Sequence, residues 1–279
     1  MKVKDIMSKD VIVAEVPGSR EHVIELMDKH GKMGLPVVKK GTKTLVGMVT
    51  KSDLLSKADE QQLAMLMTRD PITVNPDDDV KEAALKIINH GVRRLPVVEN
   101  DELVGIITVS DIITSAIRKL DPEEGISDLF EKNVFVLWEK TPVSLCLYIL
   151  RFAGLNAAPV INDSGQLVGF ISTSDFIKMI DLSTEALSNY ATVAPETSWS
   201  WDKTDVYYIT KKIITLPDKL LEEVMVKNVV TVTIFTSLVD VIKKMRKYDV
   251  DQIPVLDAGD NLVGLISDLK ILRHIVNIL

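Results

Sequence analysis

The amino-acid sequence predicts an α/β (α+β) protein built from four repeats, each with the order β-α-β-β-α. The first observation is the segment 95–111, LPVVENDELVGIITVSD, in which two apolar runs flank a polar turn and lead to a hydroxyl residue three positions before an aspartate. Related segments occupy 35–53, 158–175 and 253–270, and their prolines recur at intervals of 60, 63 and 95 residues. Self-similarity of this kind indicates a repeat architecture, which is the second observation.

Each repeat opens with a short leader that ends on a methionine or another apolar residue. The four leaders are KDIM at 4–7, AMLM at 64–67, SDLF at 127–130 and EEVM at 222–225. A run rich in β-branched residues follows each leader, at 11–16, 72–74, 134–138 and 229–234. Such runs are typical of strands.

A helix follows each of these strands, because a start signal precedes a segment with helical periodicity. The signals are Ser19, Asp77, Thr141 with Pro142 at the first helical position, and Ser237. Serine, threonine and aspartate cap helix N-termini with a side-chain oxygen, and proline is tolerated in the first turn. Apolar positions then recur every three or four residues.

Two apolar runs joined by a polar turn read as a hairpin, and a second helix closes each repeat. The strands are apolar at nearly every position, which indicates burial on both faces. One repeat alone would be only marginally stable. We therefore expect two pairs, the first repeat with the second and the third with the fourth.

The predicted boundaries are repeat one at 1–60, repeat two at 61–122, repeat three at 123–182, an insertion at 183–219 and repeat four at 220–279. The insertion contains SWSW at 198–201 and VYYI at 206–209. One interpretation is a flap that packs its aromatic residues on a neighbouring surface. The other is a lid over a ligand cleft or a dimer contact.

Composition limits the functional classes. The chain has 279 residues, a net charge of −7 and a single cysteine, Cys146. An acidic chain disfavours nucleic-acid binding, and one cysteine cannot form an intramolecular disulfide or a thiol metal cluster. The start of the chain does not resemble a signal peptide, and the apolar runs are too short to cross a bilayer, so we expect a cytoplasmic protein.

Sequence motifs of catalysis are absent. The chain contains no P-loop, no dinucleotide fingerprint and no zinc-protease motif, and its four histidines have no metal-ligand spacing. Cys146 lies in the apolar run LCLYIL and is expected to be a buried structural thiol. We therefore predict that the protein is not an enzyme.

The repeated pattern, a hydrophobic residue with Pro-Val, then Val-Gly and [ST]-x-x-D, resembles the CBS domain family. Four copies in register cover all but the insertion. The resemblance implies two tandem Bateman modules and a regulatory role. It also implies an adenosine-containing effector, such as AMP, ADP, ATP or S-adenosylmethionine, and no catalytic cofactor.

Three repeats carry the hydroxyl and the carboxylate that could hold a ribose, as Thr50 with Asp53, Thr108 with Asp111 and Ser172 with Asp175. An aspartate at a helix start can accept both ribose hydroxyls, and such charge-assisted bonds contribute about 1.5–3 kcal/mol each. The competing interpretation is helix capping by the same residue types. In repeat four, Ser267 is kept, but Lys270 replaces the carboxylate and cannot accept from a diol. We therefore expect three ribose sites and no adenosine at Lys270; the alternative is that Lys270 binds a phosphate as a point charge.

The resemblance also implies which residues of the partner repeat contact the base or phosphate in each cleft. For Asp53 they are Pro71, Ile72, Val92, Arg93 and Arg94; for Asp111 they are Asp10, Val11, Lys32, Met33 and Gly34; and for Asp175 they are Val229, Val230, Val250, Asp251 and Gln252. Arginines suit a phosphate, whereas Asp251 suits an uncharged or cationic tail. The modules are thus predicted to differ in ligand.

These observations predict a sensor that binds an adenosyl ligand and modulates a separate partner protein. The resemblance implies a homodimer that brings two modules together in a disc, although four repeats in one chain could instead close such a disc internally. The alternative function is an assembly scaffold with vestigial clefts.

Overall fold

The computed structural model describes residues 1–57, 60–179, 181–187 and 209–279. It confirms the predicted α/β fold with four repeats paired into two modules. None of the described helices combines the length and the hydrophobicity that a bilayer crossing requires.

The first repeat is a parallel strand pair extended by a hairpin. It contains β1 (Ala14–Val16), α1 (Arg20–Lys29), β2 (Gly34–Lys39), β3 (Leu45–Thr50) and α2 (Lys51–Ser56). The strand β1 runs parallel to β2, and β2 runs antiparallel to β3. Ser19 caps α1 as predicted, because its hydroxyl accepts the backbone N–H of His22.

The second repeat contains α3 (Leu63–Leu66), β4 (Thr68–Arg69), α4 (Val80–His90), β5 (Arg94–Glu99), β6 (Glu102–Thr108) and α5 (Val109–Ala116). The predicted strand at 72–74 is reduced to a single parallel bridge between Val74 and Val97. The helix α4 begins two residues later than predicted. Asp79 caps it by accepting the N–H of Lys81, whereas Asp77 pairs with Lys4.

The third repeat contains β7 (Leu137–Trp138), α6 (Val143–Ala153), β8 (Ala157–Ile161), β9 (Leu167–Ser172) and α7 (Thr173–Met179). The prediction that Pro142 is the first helical residue is wrong by one position. Its ψ of 136° is extended, so α6 starts at Val143.

The insertion contributes an antiparallel hairpin, and the fourth repeat follows it. The elements are β10 (Asp181–Leu187), β11 (Ile209–Thr215), α8 (Leu221–Val224), β12 (Val232–Thr233), α9 (Leu238–Tyr248), β13 (Gln252–Leu256), β14 (Leu262–Ser267) and α10 (Asp268–Ile275). The predicted aromatic flap or lid at 198–201 and 206–209 lies outside the described residues, apart from Ile209.

The leaders are exchanged within each pair. The second leader packs into the core of repeat one through Leu63, Leu66 and Met67, and β4 pairs with β3. The first leader packs with repeat two, where Ser8 bridges Ile106. The same exchange joins repeats three and four, through the bridges Glu131–Leu265 and Phe170–Val226.

The glycine of each Val-Gly motif makes room for an exchanged leader. A Cβ on Gly47 would lie 2.7 Å from the Sδ atom of Met67, and a Cβ on Gly105 would lie 2.6 Å from the Sδ atom of Met7. Gly169 faces Met225 in the same way, and Gly264 faces Phe130. The close approach allowed by these glycines therefore serves the pairing of repeats.

The two modules pack against each other through helices within one chain. Repeats two and four share one continuous core, in which α5 contacts α9 and α10, and α4 contacts α10. On the other side α2 contacts α7, and Leu55 packs against the core of repeat three. These contacts bring all four repeats together without a second chain.

Candidate ligand-binding site

The three predicted hydroxyl–carboxylate pairs form in the same way. The backbone N–H and the hydroxyl of Thr50 donate to Asp53 Oδ2 over 2.8 and 2.6 Å. Thr108 does the same to Asp111 Oδ2 over 2.9 and 2.7 Å, and Ser172 to Asp175 Oδ2 over 2.9 and 2.7 Å. Each aspartate thus stands in the first turn of α2, α5 or α7, directly after a strand.

These bonds form the helix cap and leave acceptor capacity for a ligand. In all three pairs both bonds go to Oδ2, and Oδ1 has no hydrogen-bond partner among the described residues. An ionised carboxylate accepts about four hydrogen bonds, so Oδ1 can still accept from a ribose diol. Capping and ribose binding are therefore compatible.

The fourth repeat differs at this point. Ser267 caps α10 by accepting the N–H of Lys270 over 3.2 Å. The ammonium of Lys270 lies 3.9 Å from Glu131 in the exchanged leader of repeat three. This helix start offers a cation where the others offer a carboxylate.

Two of the three aspartates, Asp111 and Asp175, line one cavity of about 810 Å³ where the modules meet. Binding sites for small molecules typically have volumes of about 300–1,000 Å³. The structure brings together the Asp111 set, Asp10, Val11, Lys32, Met33 and Gly34, and the Asp175 set, Val229, Val230, Val250, Asp251 and Gln252. The Asp111 and Asp175 clefts, which the sequence analysis predicted as separate sites, therefore form one continuous cavity.

Of the residues predicted around Asp53, two line this cavity. The cavity lining contains Arg93 and Arg94 but not Thr50, Asp53, Pro71, Ile72 or Val92. The two arginines, predicted to give the Asp53 cleft its phosphate-binding character, thus line the cavity of Asp111 and Asp175. Arg94 also lies near Thr50 of the Asp53 pair, because a Cβ on Gly34 would be 2.8 Å from Arg94 Nη1 and 3.1 Å from Thr50 Cγ2.

Arg94 reaches from repeat two to repeat one. Its Nη1 donates to the carbonyl oxygen of Gly34 over 3.1 Å, its one hydrogen bond among the described residues. Burial and the neighbouring Arg93 lower the pKa of Arg94, but an arginine stays protonated in proteins. Arg94 is a partly buried cation with donors left for an anion.

Arg93 is bound to the other module. Its guanidinium pairs with Asp268, and its Nη2 lies 3.1 Å from Asp251 Oδ2. The predicted suitability of Asp251 for a cationic tail assumes a free carboxylate, whereas in the structure Arg93 offsets its charge.

Asp268 is a cavity residue that the sequence prediction missed. It is buried, and burial raises its pKa to about 6, although Arg93 acts in the opposite direction. A signal was available, because repeat four carries an acid directly after the strand hydroxyl, where the other repeats have Lys51, Val109 and Thr173. The acid of repeat four is shifted by two positions along the helix start.

The lining carries more acid than base. Its charged residues are Asp10, Lys32, Arg93, Arg94, Asp111, Asp175, Asp249, Asp251 and Asp268. Basic groups lie on residues of repeats one and two, whereas Asp249, Asp251 and Asp268 belong to repeat four. In the described part of the chain no cluster of three or more metal-ligating residues occurs.

A sequence model of the CBS domain family matches residues 3–60, 63–118, 126–182 and 221–277. Protein MJ1225 of Methanocaldococcus jannaschii is 21% identical over 293 aligned positions, which cover 98% of both chains. Its crystal structure matches with a TM-score of 0.79 at 20% identity, over 98% of this chain and 99% of that one. This likeness concerns the fold.

Two further proteins are similar to this chain, one over nearly its whole length and one over less than half of it. The crystal structure of an uncharacterized conserved protein from Pyrococcus horikoshii matches with a TM-score of 0.64 at 26% identity, over 98% of this chain and 99% of that one. The inosine-5'-monophosphate dehydrogenase of Korarchaeum cryptofilum is 37% identical over 113 residues, 40% of this chain but only 23% of the enzyme.

Proposed function

Because the chain belongs to the CBS domain family, we propose that it is a regulatory protein that binds adenosine-containing ligands where its two modules meet and modulates a separate partner protein. The observation that carries this proposal is that Asp111 and Asp175 line one cavity, and that the Oδ1 of each has no hydrogen-bond partner in the described part of the chain. Each can accept the two hydroxyls of a ribose.

The charges of the lining favour a ligand with little negative charge. Six aspartates and three basic residues face the cavity. Arg94 has donors for one phosphate that no described residue occupies. Further phosphates would approach the acidic residues of repeat four. Adenosine, S-adenosylmethionine and AMP are therefore proposed to bind more tightly than ATP.

A regulatory role follows from the position of the cavity. A ligand there contacts both modules, so it stabilises the arrangement of modules to which it binds more tightly. A partner protein that recognises this arrangement would respond to the ligand. No catalytic role is proposed, since the family match covers all four repeats.

Titration calorimetry with adenosine, S-adenosylmethionine, AMP and ATP tests the proposal. The wild-type chain is compared with Asp111→Asn, Asp175→Asn and the double variant. Asp128→Asn serves as the matched control, because Asp128 is exposed and has no hydrogen bond among the described residues. Each single variant should lose one binding event, the double variant should lose both in the cavity, and the control should bind as wild type.

The second candidate function is an assembly scaffold with vestigial clefts. One observation favours it, because each hydroxyl–carboxylate pair lies at a helix start and so has a structural role of its own. A scaffold would show no change in melting temperature with any of the four ligands. If the cavity binds one of them, that ligand should raise the melting temperature by mass action.

The homodimer, the cytoplasmic location and the predicted domain boundaries stay predictions. The helix contacts within one chain support the alternative in which four repeats close the disc internally. Light scattering at several protein concentrations distinguishes that alternative from a dimer.

A further inference from the structure

The ion pair of Arg93 with Asp268 lies in the cavity and crosses between the modules. Arg93 precedes β5 in repeat two, and Asp268 opens α10 in repeat four. The side chains are 25% and 9% exposed. Asp251 is the second carboxylate on the same guanidinium, at 3.1 Å and 52% exposed. Arg93 is therefore held mainly by a buried acid of the opposite module.

Arg93 also lies beside a predicted ribose site. Its backbone carbonyl accepts the N–H of Val109 over 3.1 Å, at the start of the helix that carries Asp111. The next residue, Arg94, pairs with Thr108 in the β5–β6 hairpin. A ligand with its ribose on Asp111 thus has two arginines within the same cavity. Among the described residues Arg93 pairs with two carboxylates through its Nη2, whereas Arg94 pairs with none.

The acid that holds Arg93 takes up a proton more readily than an ordinary aspartate. Burial raises the pKa of Asp268 to about 6, against the opposing effect of Arg93. The charged groups that face it are Arg93, Arg94 and Asp251. Desolvation disfavours the ionised form, so this buried carboxylate takes up a proton at a higher pH than an exposed one, and a neutral carboxyl no longer attracts Arg93 by its charge.

We propose that Asp268 regulates anion binding in the cavity: while ionised it keeps Arg93 in an ion pair between the modules, and when neutral it releases Arg93 to bind the phosphate of an adenosyl ligand. Asp268 is thus a specificity-determining residue that sets the preference between an uncharged adenosyl ligand and a phosphorylated one. This inference rests on the proposed adenosyl-binding function.

The test uses the full chain, with adenosine and AMP as probes, in wild type and Asp268→Asn at about pH 7.5. The amide keeps the shape of the side chain and removes its charge. AMP should bind about tenfold more tightly to Asp268→Asn, equivalent to about 1.4 kcal/mol. Adenosine, which has no phosphate, should bind both proteins equally.

A double-mutant cycle assigns the gain to Arg93. In Asp268→Asn with Arg93→Ala the gain for AMP should disappear, because no released guanidinium remains. Thermal unfolding without ligand verifies that each variant folds. If Asp268→Asn does not fold, Asp268→Ser takes its place, since serine also removes the charge at this position and should give a gain of the same sign for AMP.

A pH series provides the second readout. In wild type the ratio of AMP to adenosine affinity should rise between about pH 7.5 and 5.5, as Asp268 takes up a proton. The phosphate of AMP also titrates near pH 6. The phosphate of AMP titrates in the same way when the ligand binds Asp268→Asn. The difference in affinity ratio between wild type and this variant therefore measures the effect of protonating Asp268.

The outcomes separate this inference from the function on which it rests. If adenosine and AMP bind wild type, but Asp268→Asn changes neither affinity or changes both equally, the regulatory role of Asp268 is wrong and the proposed function stands. If neither ligand binds wild type, both fail.

Discussion

Arg94 of the second repeat donates a hydrogen bond to the carbonyl oxygen of Gly34 in the first repeat, over 3.1 Å. The contact depends on the missing side chain, because a Cβ on Gly34 would lie 2.8 Å from Arg94 Nη1 and 3.1 Å from Thr50 Cγ2. The two residues hold equivalent positions, each two residues before the proline of its repeat. At this position the first repeat therefore has a glycine, and the second repeat has an arginine that fills the space beside it.

Gly34→Ala should weaken AMP binding while leaving adenosine binding nearly unchanged. The added methyl group displaces the guanidinium, which we propose contacts the phosphate and not the ribose. A loss of about three- to tenfold in AMP affinity is expected, about 0.7–1.4 kcal/mol. Calorimetry with both ligands measures the two affinities. Equal losses of affinity for adenosine and AMP would show that Arg94 does not contact the phosphate.

Gly47→Ala should destabilise the first module. The new Cβ would meet Met67 Sδ at 2.7 Å and the carbonyl oxygen of Thr68 at 2.8 Å, so the exchanged leader must move. Overpacking of this kind costs typically about 1–3 kcal/mol. Gly125→Ala is the matched control, because a Cβ there meets nothing within 4 Å. Urea unfolding should show a lower midpoint for Gly47→Ala alone; equal midpoints would contradict the leader exchange.

Acidification should stabilise wild type relative to Asp268→Asn. The folded pKa of Asp268, about 6, lies above its ordinary value of 3.8. The folded state thus binds more protons than the unfolded state between these values, and this contribution to stability grows as the pH falls from about 7 to 4. The relative gain should be about 1–3 kcal/mol. Urea unfolding at several pH values checks it, and parallel stability curves for the two proteins would refute it.

Cys146 should be inert to thiol reagents in the folded protein. It is buried on α6, and burial raises its pKa to about 12. The thiolate is the reactive form, so a disulfide reagent at about pH 8 should react only after the chain unfolds in denaturant. Rapid reaction of the native protein would show that α6 opens locally.

The repeats, their pairing and the three hydroxyl–carboxylate pairs were predictable from local patterns. A helix cap such as Ser19 is determined by residues within a few positions of it in the chain, and the same holds for the [ST]-x-x-D motif. The exchange of leaders was not predictable, because it depends on which repeat each Met or Phe faces. Nor was the merging of two clefts, since the pairing of Arg93 with Asp268 spans 175 positions and is set by helix packing between modules.

The central claim is that the cavity between the modules binds an adenosyl ligand through Asp111 and Asp175. A crystal structure of the chain grown with adenosine tests it most directly. We predict a ribose whose two hydroxyls lie within hydrogen-bond distance of the Oδ1 atom of Asp111 or Asp175, with the base inside the same cavity. A cavity empty at saturating adenosine, or a ribose bound without either carboxylate, would contradict the claim.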